Sequence, residues 1–149
     1  MPIAYTARSA KPALPHTYYA SAVELAANSD FLVIITPGGA GTRKLIDAAV
    51  LKALGASGCV VNVARGSVID ETALIEALQA GTIAGAALDV FDNEPHVPQA
   101  LRDMTNVLLS PHIGSATAQT RQAMADLALA NLQAQLAGRP VLTPVPECQ

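Results

Sequence analysis

The sequence predicts an α/β fold, a parallel β-sheet with flanking helices. Short apolar runs alternate along the chain with segments that open on helix-capping residues, and the connections between them are short. Apolar residues make up 51% of the 149 residues and charged residues 14%, a balance that buries a core rather than leaving the chain disordered. This length is one domain's worth.

Taken in order, Met1 to Tyr5 reads as a short strand, followed by a polar, basic turn from Thr6 to Pro12. Pro12 and Pro15 keep the next stretch extended and irregular. Ser21-Ala22-Val23-Glu24 is a capping box, which predicts a short helix to about Asn28. Phe31-Leu32-Val33-Ile34-Ile35 is a continuous apolar run and predicts a strand covered on both faces. Pro37 to Thr42 is a loop by its glycine content. Asp47 caps a helix ending near Leu54, with Gly55 as its stop.

The next strand, from Cys59, runs past Asn62 to Val63-Ala64 and delivers Arg65 beside Gly66. Asp70 then caps a helix through Ala80, closed by Gly81. Ala84 to Val90 is a strand of small side chains, interrupted by Asn93-Glu94-Pro95. A brief helical turn over Pro98 to Arg102 precedes the strand Val107-Leu108-Leu109, which Ser110-Pro111 ends. Thr117 starts the longest helix, running to Gly138, and Arg139 to Gln149 is expected to be a loose, proline-containing tail.

Several function classes are disfavoured at once. A net charge of −3 offers no attraction to polyanions, and three tyrosines and two phenylalanines make a poor stacking platform for nucleic acid. No apolar run approaches the ~18 residues of a membrane span. No basic-then-apolar leader opens the chain, so a cytoplasmic location without nucleic-acid or membrane partners is expected. Cys59, a small hydrophobe in a strand, and Cys148, a thiol in the tail, have no metal-like spacing, and neither a metal site nor a disulfide is expected.

Arg65, Glu94 and His112 all fall at strand ends, and in open parallel sheets the carboxyl ends of the strands share one crevice. Each has an ordinary reading alone: a charge at a turn, a loop acid, a histidine bonded to backbone. Together they offer more. A planar guanidinium grips a small carboxylate, and a histidine paired with a carboxylate can hold and donate a proton. A hydride source is then lacking, and proteins borrow one from a cofactor.

Three stretches carry a resemblance: Val61 to Glu71 (Val-Asn-Val-Ala-Arg-Gly-Ser-Val-Ile-Asp-Glu), Leu88-Asp89-Val90-Phe91 with Glu94-Pro95, and Ser110 to Thr117 (Ser-Pro-His-Ile-Gly-Ser-Ala-Thr). In this order and spacing they resemble the signatures of the D-isomer-specific 2-hydroxyacid dehydrogenases, with closest similarity to the glyoxylate, hydroxypyruvate and 2-ketogluconate reductases. The resemblance implies a Rossmann-like sheet and NAD(P)-dependent reduction of a small 2-oxo acid to the D-2-hydroxy acid. It implies that Arg65 binds the substrate carboxylate and carbonyl, that His112 is the general acid/base and that Glu94 supports it. Asp89 would hydrogen-bond the nicotinamide carboxamide, where otherwise it is a strand-end acid. Thr36-Pro37 and Val63-Ala64 would line the cofactor cleft, and Gly114 would permit close approach of substrate or cofactor. A homodimer is compatible with the resemblance.

The turn after the first strand holds Thr6-Ala7-Arg8-Ser9 and Lys11, with no acid to meet ribose hydroxyls. Arg8 and Ser9 suit a 2′-phosphate, which favours NADPH, with NAD as the second choice. Related NADPH users often carry asparagine or serine before the arginine, where this chain has Ala7. No G-x-G-x-x-G occurs, and Met1-Pro2-Ile3 aligns with the start of the second strand of the family's dinucleotide domain. Residues 1–138 are therefore expected to be a partial NAD(P)-binding domain, without its first βα unit, from the C-terminal portion of a longer enzyme. In the sheet order 3-2-1-4-5-6 the absent strand would lie between the strands at Ile3 and at Val61. The apolar side of the long helix (Met124, Leu127, Leu132, Leu136) would also lack a partner.

The rival reading is a non-catalytic dinucleotide-sensing or partner-binding module. Arg65, Glu94 and His112 together favour catalysis, since a pure binder has no need of a proton donor. On the fragment reading the isolated chain has little or no activity. Turnover of glyoxylate or hydroxypyruvate with NADPH at an ordinary enzymatic rate would contradict it.

Overall fold

The computed structural model of the chain describes residues 1–145, so Cys148 and the end of the expected tail lie outside the described residues. The chain forms two compact units, Met1–His112 and a second from Ile113 onward.

In the first unit, β1 (Ala4–Tyr5) pairs in parallel with β2 (Thr17–Tyr18). A second sheet holds β3 (Phe31–Ile34), β4 (Cys59–Asn62), β5 (Gly85–Leu88) and β6 (Val107–Leu109), all parallel and in chain order. The crossovers contain α2 (Ala48–Leu54), α3 (Glu71–Gln79) and α4 (Gln99–Asp103), while α1 (Ala22–Ala27) precedes β3 and packs on α2. Consecutive parallel strands place all their carboxyl ends along one rim, where the loops carrying Arg65, Glu94 and His112 begin.

The caps explain the helix starts. Asp47 accepts the amides of Ala49 and Val50 at 3.0 and 3.1 Å, and Asp70 accepts that of Ala73 at 3.4 Å. Ser21 accepts the Glu24 amide at 3.2 Å, but Glu24 reaches back to Ala20 rather than to the cap residue. Gly55 and Gly81 end α2 and α3 with φ of 79° and 66°, which glycine adopts without a Cβ penalty.

Three expectations need correction. First, β3 is not covered on both faces. Leu32 and Ile34 join Leu25, Val50, Leu51, Val60, Leu74 and Leu88 in the core, whereas Phe31 and Val33 are 55% and 54% exposed. The run is apolar on both faces, but one face looks away from the core, so composition concealed the alternation. Second, Thr17–Tyr18 is a strand, too short for any periodicity to reveal. Third, the strand at Val61 borders no open edge: β4 pairs with β3 on one side and β5 on the other. Among the described residues β1 and β3 each pair on one side only.

In the second unit, α5 (Ala118–Leu136) starts at Thr117, whose hydroxyl accepts the Thr120 amide at 3.1 Å. Its apolar side chains are exposed, Leu132 at 55% and Leu136 at 79%. The following segment is not loose throughout. Asn131 donates to the Thr143 hydroxyl at 2.9 Å and accepts its amide at 3.1 Å, folding the chain back on the helix. Among the described residues no helix is long and apolar enough to cross a membrane.

The one-sided core predicts responses of different size from two valines of neighbouring strands. Val60→Ala, at a fully buried position, should cost about 2 kcal/mol in urea unfolding. Val33→Ala should cost less than about 0.5 kcal/mol.

Candidate active site

Asn62 is a polar side chain that is 1% exposed at the end of an apolar strand, so its amide must find partners. It finds both in the turn that follows. Its Oδ1 accepts the Ala64 amide and its Nδ2 donates to the Arg65 carbonyl, each at 3.0 Å. The backbone of Arg65 is thereby fixed from below. The guanidinium spends one N–H on the Ala64 carbonyl at 2.6 Å. Gly38 lies against its stem: a Cβ there would come 2.9 Å from Arg65 Cγ.

Gly66 joins this turn to the next strand end. A Cβ on Gly66 would lie 1.9 Å from the Phe91 carbonyl carbon and 2.3 Å from the Asp92 nitrogen, so only a bare backbone fits. The Phe91 segment is tied in turn to Glu94, whose Oε1 accepts the Phe91 amide at 3.0 Å. Its other oxygen, Oε2, lies 2.8 Å from His112 Nδ1.

The His112 hydrogen bond, and then the Phe91 amide, hold the Glu94 carboxyl below its ordinary value against partial desolvation. The charges of His112 and Arg65 act in the same direction. Near neutral pH Glu94 is therefore an ionised acceptor, and Nδ1 of His112 must carry the shared proton. Nε2 is then the nitrogen open to other chemistry. His112 sits at φ 54°, a left-handed conformation uncommon outside glycine.

Thr36, Pro37, Val63 and Ala64 line one open groove with Ile35, Gly38 and Arg65, of about 620 Å³. Asp89 is buried at the end of β5, where it accepts the Ser110 hydroxyl at 2.6 Å. Arg8 and Ser9 do not line that groove; they occupy the exposed turn after β1. Gly114 belongs to the second unit, in the turn that Ala116 N–H closes on the Ile113 carbonyl at 2.9 Å. Among the described residues there is no group of side chains suited to a metal ion.

Residues 1–114 match the model of the D-isomer specific 2-hydroxyacid dehydrogenase, NAD binding domain. The chain belongs to this family. It is 50% identical over 144 residues to glyoxylate/hydroxypyruvate reductase A of Arabidopsis thaliana, covering 97% of this chain and 46% of that protein. A 2-ketogluconate reductase of Gluconobacter oxydans is 42% identical over 145 residues, covering 97% of this chain and 47% of that protein. Among solved structures, the NADPH-dependent glyoxylate/hydroxypyruvate reductase of Sinorhizobium meliloti, in complex with NADP and malonate, superposes with a TM-score of 0.95. Its identity is 50%, over 99% of this chain and 46% of that one. The chain thus spans about half the length of the relatives it matches.

Four residues that shape this candidate site were not singled out from sequence: Gly38, Asn62, Gly66 and Ser110. Only Asn62 carried a usable signal, a polar residue inside an apolar run, which burial obliges to bond locally. The glycines act by the absence of an atom, and the residues they make room for are distant in sequence.

Two outcomes follow from this geometry. Gly66→Ala should destabilise the chain by about 3 kcal/mol in denaturant unfolding, since the new methyl meets backbone that cannot step aside. Because Glu94 has a lowered pKa in the fold, its stabilisation is present above its ordinary value of 4.5 and is lost as pH falls through the folded value. The stability gap between wild type and Glu94→Gln, followed by urea titration, should therefore close in acid below pH 4.5.

Proposed function

We propose that this chain supplies the carboxylate grip, the proton donor and part of the cofactor cleft of an NADPH-dependent 2-oxo acid reductase. Its substrates are small, glyoxylate or hydroxypyruvate in size, the product is the D-2-hydroxy acid, and NADH is the weaker second cofactor. The observation that carries this reading is the 2.8 Å Glu94–His112 pair beside the Arg65 turn. The names of the relatives, reductases of glyoxylate, hydroxypyruvate and 2-ketogluconate, point the same way.

The chain's residues fit a dinucleotide. The groove offers Ile35, Pro37, Val63 and Ala64 as apolar walls, and the Arg8–Ser9 turn presents a cation with no acidic partner among the described residues. Asp89, oriented by Ser110, is the acceptor for a carboxamide. When bound, the nicotinamide supplies the hydride.

Arg65 has one guanidinium N–H on the Ala64 carbonyl and four more donors with which to fix a carboxylate and polarise the neighbouring carbonyl. Glu94 holds the His112 ring by Nδ1, so in the doubly protonated ring Nε2 is the nitrogen that would give a proton to the carbonyl oxygen of a bound 2-oxo acid. The carbonyl π bond becomes a C–H and an O–H bond. In the reverse direction Nε2 takes the proton back from the hydroxyl. Glu94 keeps the ring oriented in both directions.

The test is a titration of the chain with NADPH, followed by nicotinamide fluorescence with and without glyoxylate. Glyoxylate should alter the emission of the bound nucleotide in wild type and fail to do so in Arg65→Ala, with NADPH affinity kept within about two-fold. Any turnover should fall at least about 100-fold in His112→Asn. Nucleotide binding that is blind to every 2-oxo acid tried would sink the reductase reading and leave the sensing module.

A further inference from the structure

The turn that presents Arg8 and Ser9 is held from both sides by tyrosine hydroxyls. Tyr5 and Tyr18 are register partners in the β1–β2 ladder, and their rings stand 5.4 Å apart at 54°. The Tyr18 hydroxyl donates to the Ala7 carbonyl at 3.2 Å. On the other side the Tyr5 hydroxyl accepts the Lys11 amide at 2.6 Å and lies 3.3 Å from the Lys11 carbonyl. Only Arg8, Ser9 and Ala10 lie between the two anchors, and all three are exposed.

These bonds orient the peptides between them. In a trans peptide the carbonyl and the N–H point in opposite directions. Tying the Ala7 carbonyl to Tyr18 therefore turns the Arg8 N–H away from Tyr18, and removes a carbonyl oxygen that would repel an approaching anion. Among the described residues no acceptor engages the N–H of Arg8, Ser9 or Ala10. Three backbone donors, a guanidinium and a hydroxyl are thus presented on a turn whose ends are pinned, an arrangement suited to a phosphate dianion.

We propose that Tyr18 and Tyr5 are positioning residues that set the cofactor preference, by holding this turn in the shape that receives a ribose 2′-phosphate. The proposal rests on the cofactor reading above. Each hydroxyl acts through the backbone of the turn and not by touching the nucleotide, so losing one should penalise the 2′-phosphate selectively.

The experiment compares binding of adenosine 2′,5′-bisphosphate and adenosine 5′-monophosphate to the full chain by NMR titration. Wild type should prefer the bisphosphate, and Arg8→Ala should lose that preference. Tyr18→Phe, which keeps the ring pair, should reduce the preference about five-fold while leaving the monophosphate affinity within about two-fold. Tyr5→Phe should do the same, and carries the test if Tyr18→Phe does not fold. A tyrosine variant that keeps the wild-type ratio, or that weakens both nucleotides equally, overturns the proposal while leaving the cofactor reading intact. A wild-type chain with no preference for the 2′-phosphate overturns both.

Discussion

The carboxylate of Glu94 has two oxygens, and the structure gives each a separate task. One takes the Phe91 amide and so fixes the loop after β5; the other takes the His112 imidazole and so fixes the loop after β6. The Phe91 backbone held in this way is the surface against which Gly66 rests, with no room for a Cβ between them. Arg65, one residue before, is thereby set against the same cluster. A guanidinium, a carboxylate and an imidazole from the loops after β4, β5 and β6 are kept together by one side chain and one missing methyl.

The sheet makes this possible at low conformational cost. Four parallel strands in chain order bring the ends of β4, β5 and β6 to one rim, so each loop need hold only a few residues. Asn62 shows the local version of the same economy. It is buried at the last position of β4 and its amide serves Ala64 and Arg65, two and three residues on, so the rigid strand extends its order as far as Arg65. The β1–β2 pair does comparable work for the Arg8–Ser9 turn, through hydroxyls rather than an amide.

Much of this was legible in the residues themselves. Asp47, Asp70, Ser21 and Thr117 announced their helices because capping is a local interaction, complete within four residues. Arg65, Glu94 and His112 stood out because ionisable groups at the ends of apolar strands are poorly explained by packing. What could not be read depended on distance in space. The uncovered side of β3 has the same apolar character as its buried side, and only the position of the helices distinguishes Val33 from Leu32. Thr17–Tyr18 owes its strand character to Ala4–Tyr5, a dozen residues earlier, and not to its own pattern. Gly38 and Gly66 are written in sequence as ordinary loop glycines, and their meaning lies in Arg65 and Phe91 opposite them.

Everything at this rim depends on Glu94, as an ionised acceptor, fixing the imidazole tautomer of His112. Nitrogen-15 NMR of the labelled chain at neutral pH reads this directly. His112 should carry a proton on Nδ1, in a hydrogen bond that is lost when Glu94 is replaced by alanine. A His112 ring protonated on Nε2 with Nδ1 bare, or a spectrum indifferent to the loss of Glu94, would contradict it.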